Sequence, residues 1–483
     1  NATNKNVIWT SSNNSIATVS SNGIVKGLNA GLANIIVTTI DGNKTANCTI
    51  EVKSKSSGGG NTGGSGKSYA GGGSGVGSST NDNIEKEKQV ITEGLIKFGK
   101  TNLILNTETR ILTGQLDERD LKLAEFKDST NINENSDITI EFENISNING
   151  YVLHLSISIL NKETANRRII IKTDFGNMTI PNSILDSDFA GDNEYIDIFI
   201  TKLESKEVSE DIKKLIGNRV IFNLGFMVNG VAKSWSNPNI PIKVSLKYEP
   251  AEEELKNSDN IVVYYIDEFG KANVVSNGKF DPTTNQITFY TTHLSKYAIA
   301  YIKIDYTDLE KTKWAEKEIN AMSGKGIIRS DGNKKFEPQK NITRAEFIYG
   351  LIKAIGFTSK VEGNFNDINI TDYYYDEIAI ARKLGISDGI GNNYFHPLEY
   401  ITRQDMMILI TRALKIDGKL KDANNIDLGK FKDSNLIAPY AKESVCTVVD
   451  KGIIIGDGEY IKPLNNATRA ETAIILYRIY NGI

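Results

Sequence analysis

The chain has 483 residues, too many for a single hydrophobic core and suited to about three domains of roughly 150 residues each. Apolar residues make up 39% and charged residues 24%, and the formal charge of −4 gives no general drive toward nucleic acid or anionic lipid, so anion binding must be local. Two cysteines, Cys48 and Cys446, cannot build a disulfide framework or a cysteine zinc site, and His154, His293 and His396 are too scattered for a metal cluster. No cofactor or metal is therefore expected, and both cysteines read as small buried hydrophobes. Apolar runs such as YAIAYI fall far short of the ~20 residues of a membrane span. The opening NATNKNVIWTSS reads as a truncation, which leaves any leader peptide undecided.

Residues 1–53 alternate short runs of Val, Ile and Thr with the turn signals SNG and DGN. β-Branched residues suit a pleated surface and those turns supply positive φ, so a small β-sandwich is predicted. The stretch VIWTSSNNSIATVSSNGIVKGLNAGLANIIVT resembles the bacterial Ig-like repeat of surface proteins and adhesins, without that fold's first strand. From 54 to 83 the chain is mostly Gly and Ser, with too little apolar surface to offset ordering entropy, and a flexible tether is expected. Within it GGSGKS imitates the end of a phosphate-binding loop, but Asn61 stands where that loop needs glycine, and no strand leads in.

Residues 84–303 form the largest module. A helix around NIEKEKQVITEGLIKF is expected first. Strand-like runs follow: SDITIEFENI, YVLHLSISIL, RRIIIKTDF, EYIDIFITKL, RVIFNLGFMV and IPIKVSLKY, at sandwich-like spacing. The end, from NIVVYYIDEFGK to SKYAIAYI, reads as three strands with turns at DEFGK and DPTTNQ. This part resembles the β-rich modules that precede cell-wall-binding repeats in secreted Gram-positive proteins. His293, Leu294 and Ser295 match the tripeptide of self-cleaving adhesion-receptor β-sandwiches, in which the histidine deprotonates the hydroxyl two residues on. The Cys and Trp context of that motif is absent, and the plainer reading is a strand with His293 and Ser295 on one face and Leu294 in the core. No paired carboxylates or nucleophile elbow stand out, so no catalytic residue is assigned.

After Asp305 the period becomes helical and the sequence repeats three times, over 304–362, 363–428 and 429–483. The copies share Asp308, Asp367 and Asp433, then an aromatic at Trp314, Tyr373 and Tyr440. Apolar residues follow at Ile319, Ile378 and Val445 and at Met322, Ala381 and Val448, offsets that put all three positions on one helical stripe, with the aromatics partly in the core. Each first helix ends at a Gly-Ile pair beginning at Gly326, Gly385 or Gly452, the glycine supplying a left-handed cap. A loop then passes Pro338, Pro397 or Pro463 to reach NITRAEF, YITRQDM or NATRAET. Thr343 with Glu346, and Thr468 with Glu471, have capping-box spacing; Thr402 with Asp405 is a shorter-armed version. A second helix starts there, with Leu351, Ile410 and Leu476 on its apolar stripe.

The cap leaves Arg344, Arg403 and Arg469 unexplained. A cation in the first turn faces the positive end of the helix dipole, a liability that something must offset. Beside exposed first-turn amides, arginine makes an anion-binding corner. The alternative is a pair with a carboxylate of the adjacent copy, such as Asp308, Asp367 or Asp433. Recurrence in all three copies favours a bound anion.

Acid, aromatic, Gly-Ile, Phe-x-Pro and T-R-A-E, spread over 306–480, together resemble the S-layer homology domain. That resemblance implies a pseudo-threefold helical bundle whose grooves bind secondary cell wall polysaccharide, frequently pyruvylated. It assigns to the grooves Arg344, Arg403 and Arg469, the aspartates Asp308, Asp367 and Asp433, and the aromatics Trp314, Tyr373 and Tyr440. Copy two departs from the pattern at Gln404 and Asp405, and copy three has Ile461 where the others have Phe336 and Phe395. The groove of Arg344 is therefore expected to be the most typical. Replacing all three arginines by alanine is expected to spare the fold and weaken glycan binding.

The expected fold class is multidomain: an N-terminal all-β Ig-like sandwich, a β-rich middle module and a C-terminal all-α bundle. The expected function is a non-enzymatic, extracellular surface protein, held to the wall by an anionic cell wall polysaccharide, with no nucleic acid partner and no membrane insertion. Two rivals stay open. One is a secreted enzyme or self-processing adhesin active within 84–303 or upstream of residue 1; the other is a lattice-forming subunit that self-associates in a surface layer.

Overall fold

A computed structural model describes residues 7–13, 16–19, 25–27, 31–39, 45–53, 90–92, 94–117, 119–120, 124, 137–157, 168–184, 195–204, 208–330, 332–420 and 427–482. The Gly/Ser stretch 54–83 with its GGSGKS motif, and the SNG and DGN turns, lie outside the described residues. Near the N-terminus, Val7–Ser11, Gly31–Thr39 and Thr45–Val52 pair in an antiparallel sheet, and Ala17–Val19 pairs with Val25–Gly27. Ala17, Ala33 and Ile35 are buried there. Cys48, expected in the core, is exposed instead, because it lies on an edge strand whose residues from Thr45 to Thr49 all face solvent. Cys446 is half-buried.

The middle module is two sheets face to face. The first runs, in spatial order, Lys279–Asp281, Gln286–Thr291, Ile242–Lys247, Gly176–Pro181, Arg168–Thr173, Ile138–Phe142, Leu95–Phe98 and Val90–Thr92. The second runs Ala272–Val275, Ile261–Ile266, Lys296–Tyr301, Ile221–Val228, Tyr195–Leu203, Gly150–Ser156, Ile111–Leu116 and Ile104–Asn106. Successive side chains of a strand point to opposite faces, and Ile138, Ile140 and Phe142 are buried while Thr139 and Glu141 are half-buried. A chain of rings from Phe98 through Phe142, Tyr151 and Phe175 to Phe222, with centroids 5.1 to 6.3 Å apart, ties one sheet to the other.

Two expectations for this module are corrected. In place of a helix near residue 90, Val90–Thr92 and Leu95–Phe98 form a hairpin, because Gly94 takes φ 71° and turns the chain back. The tail holds five strands, not three. Ala272–Val275 and Lys279–Asp281, one run by pattern, belong to different sheets, and the chain crosses between them at Ser276–Gly278.

Among the described residues, six α-helices follow: α1 Glu316–Gly324 and α2 Arg344–Ile355 in copy one, α3 Tyr375–Lys383 and α4 Arg403–Ile416 in copy two, α5 Lys442–Asp450 and α6 Arg469–Asn481 in copy three. Gly326, Gly385 and Gly452 take φ of 64°, 73° and 68° just past the first helices. Each second helix packs on the first helix of the next copy: α2 on α3, α4 on α5, and α6 back on α1. The apolar stripes merge in one buried cluster that draws on all three copies. The aromatics are not on those stripes. The helices begin only at Glu316, Tyr375 and Lys442, after them, so Trp314, Tyr373 and Tyr440 stay 57%, 40% and 67% exposed, while Ile319, Ile378 and Val445 are fully buried.

Candidate functional site

The aspartates hold the loop of their own copy. Asp308 accepts from the amides of Phe336 at 3.0 Å and Glu337 at 2.7 Å. Asp367 accepts from Phe395 and His396 at 2.9 and 2.7 Å, and Asp433 from Ile461 and Lys462 at 3.0 and 2.8 Å. The second residue of each pair sits at φ 57°, 57° and 56°, a left-handed conformation that non-glycine residues rarely adopt. Two charge-assisted bonds per carboxylate hold it there. The aspartates are thereby taken up within their own loops, and the alternative in which they pair with the arginines of an adjacent copy is not formed.

Each second helix starts on its threonine. Thr343 accepts from the Glu346 amide at 3.2 Å and Glu346 from the Thr343 amide at 2.9 Å; Thr468 and Glu471 repeat both distances. Thr402 accepts from the Asp405 amide at 3.3 Å, but the Asp405 carboxylate takes the Thr402 hydroxyl at 2.6 Å instead of reaching back to the backbone.

The next two amides of each helix are claimed by the neighbouring copy. Arg344 and Ala345 donate to the carbonyls of Glu399 and Pro397, Arg403 and Gln404 to Asn465 and Pro463, Arg469 and Ala470 to Lys340 and Pro338. The pattern runs one to two, two to three, three to one. No first-turn amide is left open, so the anion-binding corner expected from backbone and arginine together is not formed. What offsets each cation is a carbonyl. Arg344, Arg403 and Arg469 donate from Nε to Phe395, Ile461 and Phe336 at 3.0, 3.0 and 2.9 Å.

Beyond Nε the three diverge. Arg469 pairs with Glu346 of copy one at 2.9 Å and donates to the Arg329 carbonyl at 2.6 Å, with only 5% of its side chain exposed. Arg403 pairs with Glu471 of copy three at 3.3 Å and is 10% exposed. The equivalent partner of Arg344 is Asp405 of copy two. Its carboxylate is one methylene shorter and is occupied by Thr402 and by the Tyr440 hydroxyl at 3.2 Å. Among the described residues no carboxylate comes within ion-pairing distance of Arg344, which is half-buried with the Phe395 ring 4.9 Å from its guanidinium. Burial draws its pKa below the ordinary value, Asp405, Glu399 and Asp367 oppose that, and it stays cationic.

An aromatic from the third copy stands at the groove. Tyr440 donates to Asp405 and accepts from the Gln404 amide at 3.3 Å. Tyr373 lies under the Arg329 guanidinium at 4.4 Å, its phenol pushed up by burial and by the Glu346 carboxylate. Each of these two grooves thus takes arginine, acid and aromatic from three different copies. That arrangement was invisible to a reading copy by copy, although the shared offsets carry it once the copies are known to interlock.

The tripeptide at His293 is not arranged for self-cleavage. Ser295 donates its hydroxyl to the Ile266 carbonyl at 2.8 Å, so the proton is turned away from His293. His293 packs edge-on to Tyr265 at 4.6 Å, and burial draws its pKa down. Among the described residues no group of three His, Cys, Asp or Glu side chains could hold a metal ion, and no helix is long and apolar enough to cross a membrane.

Interlocked helix–loop–helix repeats behind β-modules define a class of surface anchor. Residues 305–348, 364–407 and 430–473 match the S-layer homology domain, and residues 1–50 match the bacterial Ig-like domain (group 2). The chain carries three S-layer homology repeats and one bacterial Ig-like domain, and it is an extracellular, cell-wall-associated protein. It is similar to an amylopullulanase of Thermoanaerobacterium thermosulfurigenes, 27% identical over 331 residues, 68% of this chain and 17% of that protein. An exoglucanase, XynX, of Acetivibrio thermocellus is 32% identical over 176 residues, 36% of this chain and 16% of that protein. The S-layer protein sap of Bacillus anthracis is 31% identical over 170 residues, 35% of this chain and 20% of that protein. The chain spans a fifth or less of the length of these relatives. The S-layer homology region itself is non-catalytic.

Proposed function

We propose that the three repeats close into a pseudo-threefold bundle, with limits near 304–362, 363–428 and 429–483, that anchors the protein non-covalently to an anionic cell wall polysaccharide. The working groove is the one headed by Arg344. One observation carries this: Arg344 is the guanidinium that the neighbouring acid leaves without an ion pair, while Arg403 and Arg469 are neutralised and nearly sealed. A guanidinium fork matches a carboxylate in two parallel bonds, so the substituent recognised is a carboxylated sugar. The exposed Tyr440 ring, its hydroxyl held by Asp405 and by the buried Gln404 amide, stands beside Asp405 to meet the sugar's face. Arg403 and Arg469 join copies and do not bind glycan.

The chain itself is non-enzymatic on this reading. The amylopullulanase and the exoglucanase share 17% and 16% of their length with it, which fits a common anchoring segment.

The test is retention of Arg344→Ala on purified wall polysaccharide. A charge-assisted bond is worth about 1.5–3 kcal/mol, so binding falls roughly 10- to 100-fold with little change in unfolding midpoint. Unchanged retention rejects the groove. Added salt weakens the wild type more than the variant, because the lost contact is between charges.

A further inference from the structure

The β-module has so far carried no role. Copies one and three present to it residues that the repeat does not require. Lys325, at the end of α1, is 2% exposed, and its ammonium donates to the carbonyls of Ile261 at 3.2 Å and Gly278 at 3.1 Å, both in the β-module. The Tyr480 ring lies 5.1 Å from the same ammonium, and the Tyr480 hydroxyl donates to Gly278 as well. Asp259 of the β-module accepts from the Tyr477 hydroxyl at 2.7 Å and pairs with Lys317 at 3.2 Å. In return, Lys279 donates to the Asn481 carbonyl at the end of α6 at 3.1 Å.

These contacts are specific to their copies. At the place of Lys325, copy two has Leu384 and copy three has Lys451, which is 41% exposed and pairs with Asp450. Tyr480 corresponds to Ile355 and Leu414, and Tyr477 to Ile352 and Thr411. The cap glycines differ too. A Cβ on Gly326 would meet Val274 of the β-module at 2.7 Å, whereas at Gly385 and Gly452 it would meet nothing within 4 Å. A buried ammonium is costly unless its donors are satisfied, so Lys325 is retained only where carbonyls are fixed to receive it. Burial pulls its pKa down to about 8, with Asp259 opposing and Lys279 adding to the fall.

We propose that the β-module serves as a fixed brace for the repeats, latched onto the ends of α1 and α6 by Lys325 and Tyr480, so that anchor and β-module move as one rigid body. The role is independent of what the grooves bind.

The experiment uses the full chain, with Cys48 and Cys446 replaced by serine and spin labels on Phe269→Cys and Leu398→Cys, both at exposed sites. The expected result is a single narrow inter-label distance. Lys325→Glu, which sets a carboxylate against two carbonyls, broadens it and splits the calorimetric unfolding of β-module and repeats into two transitions. Lys451→Glu, the exposed counterpart, changes neither. Asp259→Ala, made on the β-module side, is the second arm and shifts both readouts in the direction of Lys325→Glu, so a misfolded Lys325 variant does not decide the matter. A broad distribution in the parent chain, or a narrow one with a single transition in both variants, overturns the proposal.

Discussion

Arg344 and Arg469 occupy the same position in two copies of one repeat, with the same carbonyl contact, the same ring beneath them and the same helix behind. One is locked to a glutamate and the other faces an aspartate that does not reach. The difference is a single methylene, and it lies not in the copy that owns the arginine but in the next one. In an interlocked repeat, a substitution acts on its neighbour's site. Copy two, which departs from the pattern at Gln404 and Asp405, is therefore the copy that opens the groove of copy one.

That comparison can be broken at several points. The largest effect is expected for Arg469→Ala, which strands Glu346 and two carbonyls in a nearly sealed site and costs about 3 kcal/mol in denaturant unfolding. By the same logic the triple alanine variant is predicted to lose stability, contrary to the expectation from sequence that the fold is spared. Asp405→Glu comes next. With the missing methylene restored, the acid pairs with Arg344 as Glu471 pairs with Arg403, and polysaccharide retention falls about tenfold, the equivalent of one charge-assisted bond. If retention stays at the parent value, the length of the acid is not what keeps the groove open. Asp308→Asn removes a carboxylate that takes two amides and lowers stability by about 2 kcal/mol; retention measured below the unfolding range is unchanged, because that aspartate serves the loop and not the ligand. Trp314→Ala is the smallest. It alters stability by no more than about 0.5 kcal/mol, as expected for an exposed ring, and a large loss of retention would show that a second groove binds.

Local chemistry was readable from the chain. The threonine caps, the left-handed glycines and the alternating strands follow from spacing alone, since each depends on residues within a few positions of one another. The reading failed where a distant partner decided. NIEKEKQVITEGLIKF has helical composition, but Gly94 and a neighbouring strand turn its end into a hairpin. Ala272 to Asp281 looked like one strand because nothing local marks a change of sheet. Spacing singles out the arginines as residues the cap does not explain, but not the acids that face them. Asp308 was the visible conserved-spacing acid within each copy, whereas Glu346 and Glu471, already assigned to caps, use their second oxygen across a copy boundary.

The circular hand-off of backbone amides has a consequence for how such an anchor can change over generations. Because the third helix start is satisfied by the first loop, the first two amides of all three second helices are taken up by neighbouring copies among the described residues, unlike the exposed end of an open solenoid. Loss of one unit would orphan donors on one side and acceptors on the other at the same time. The number of units is thereby a property of the closed circuit, and variation is channelled into the side chains that line its seams.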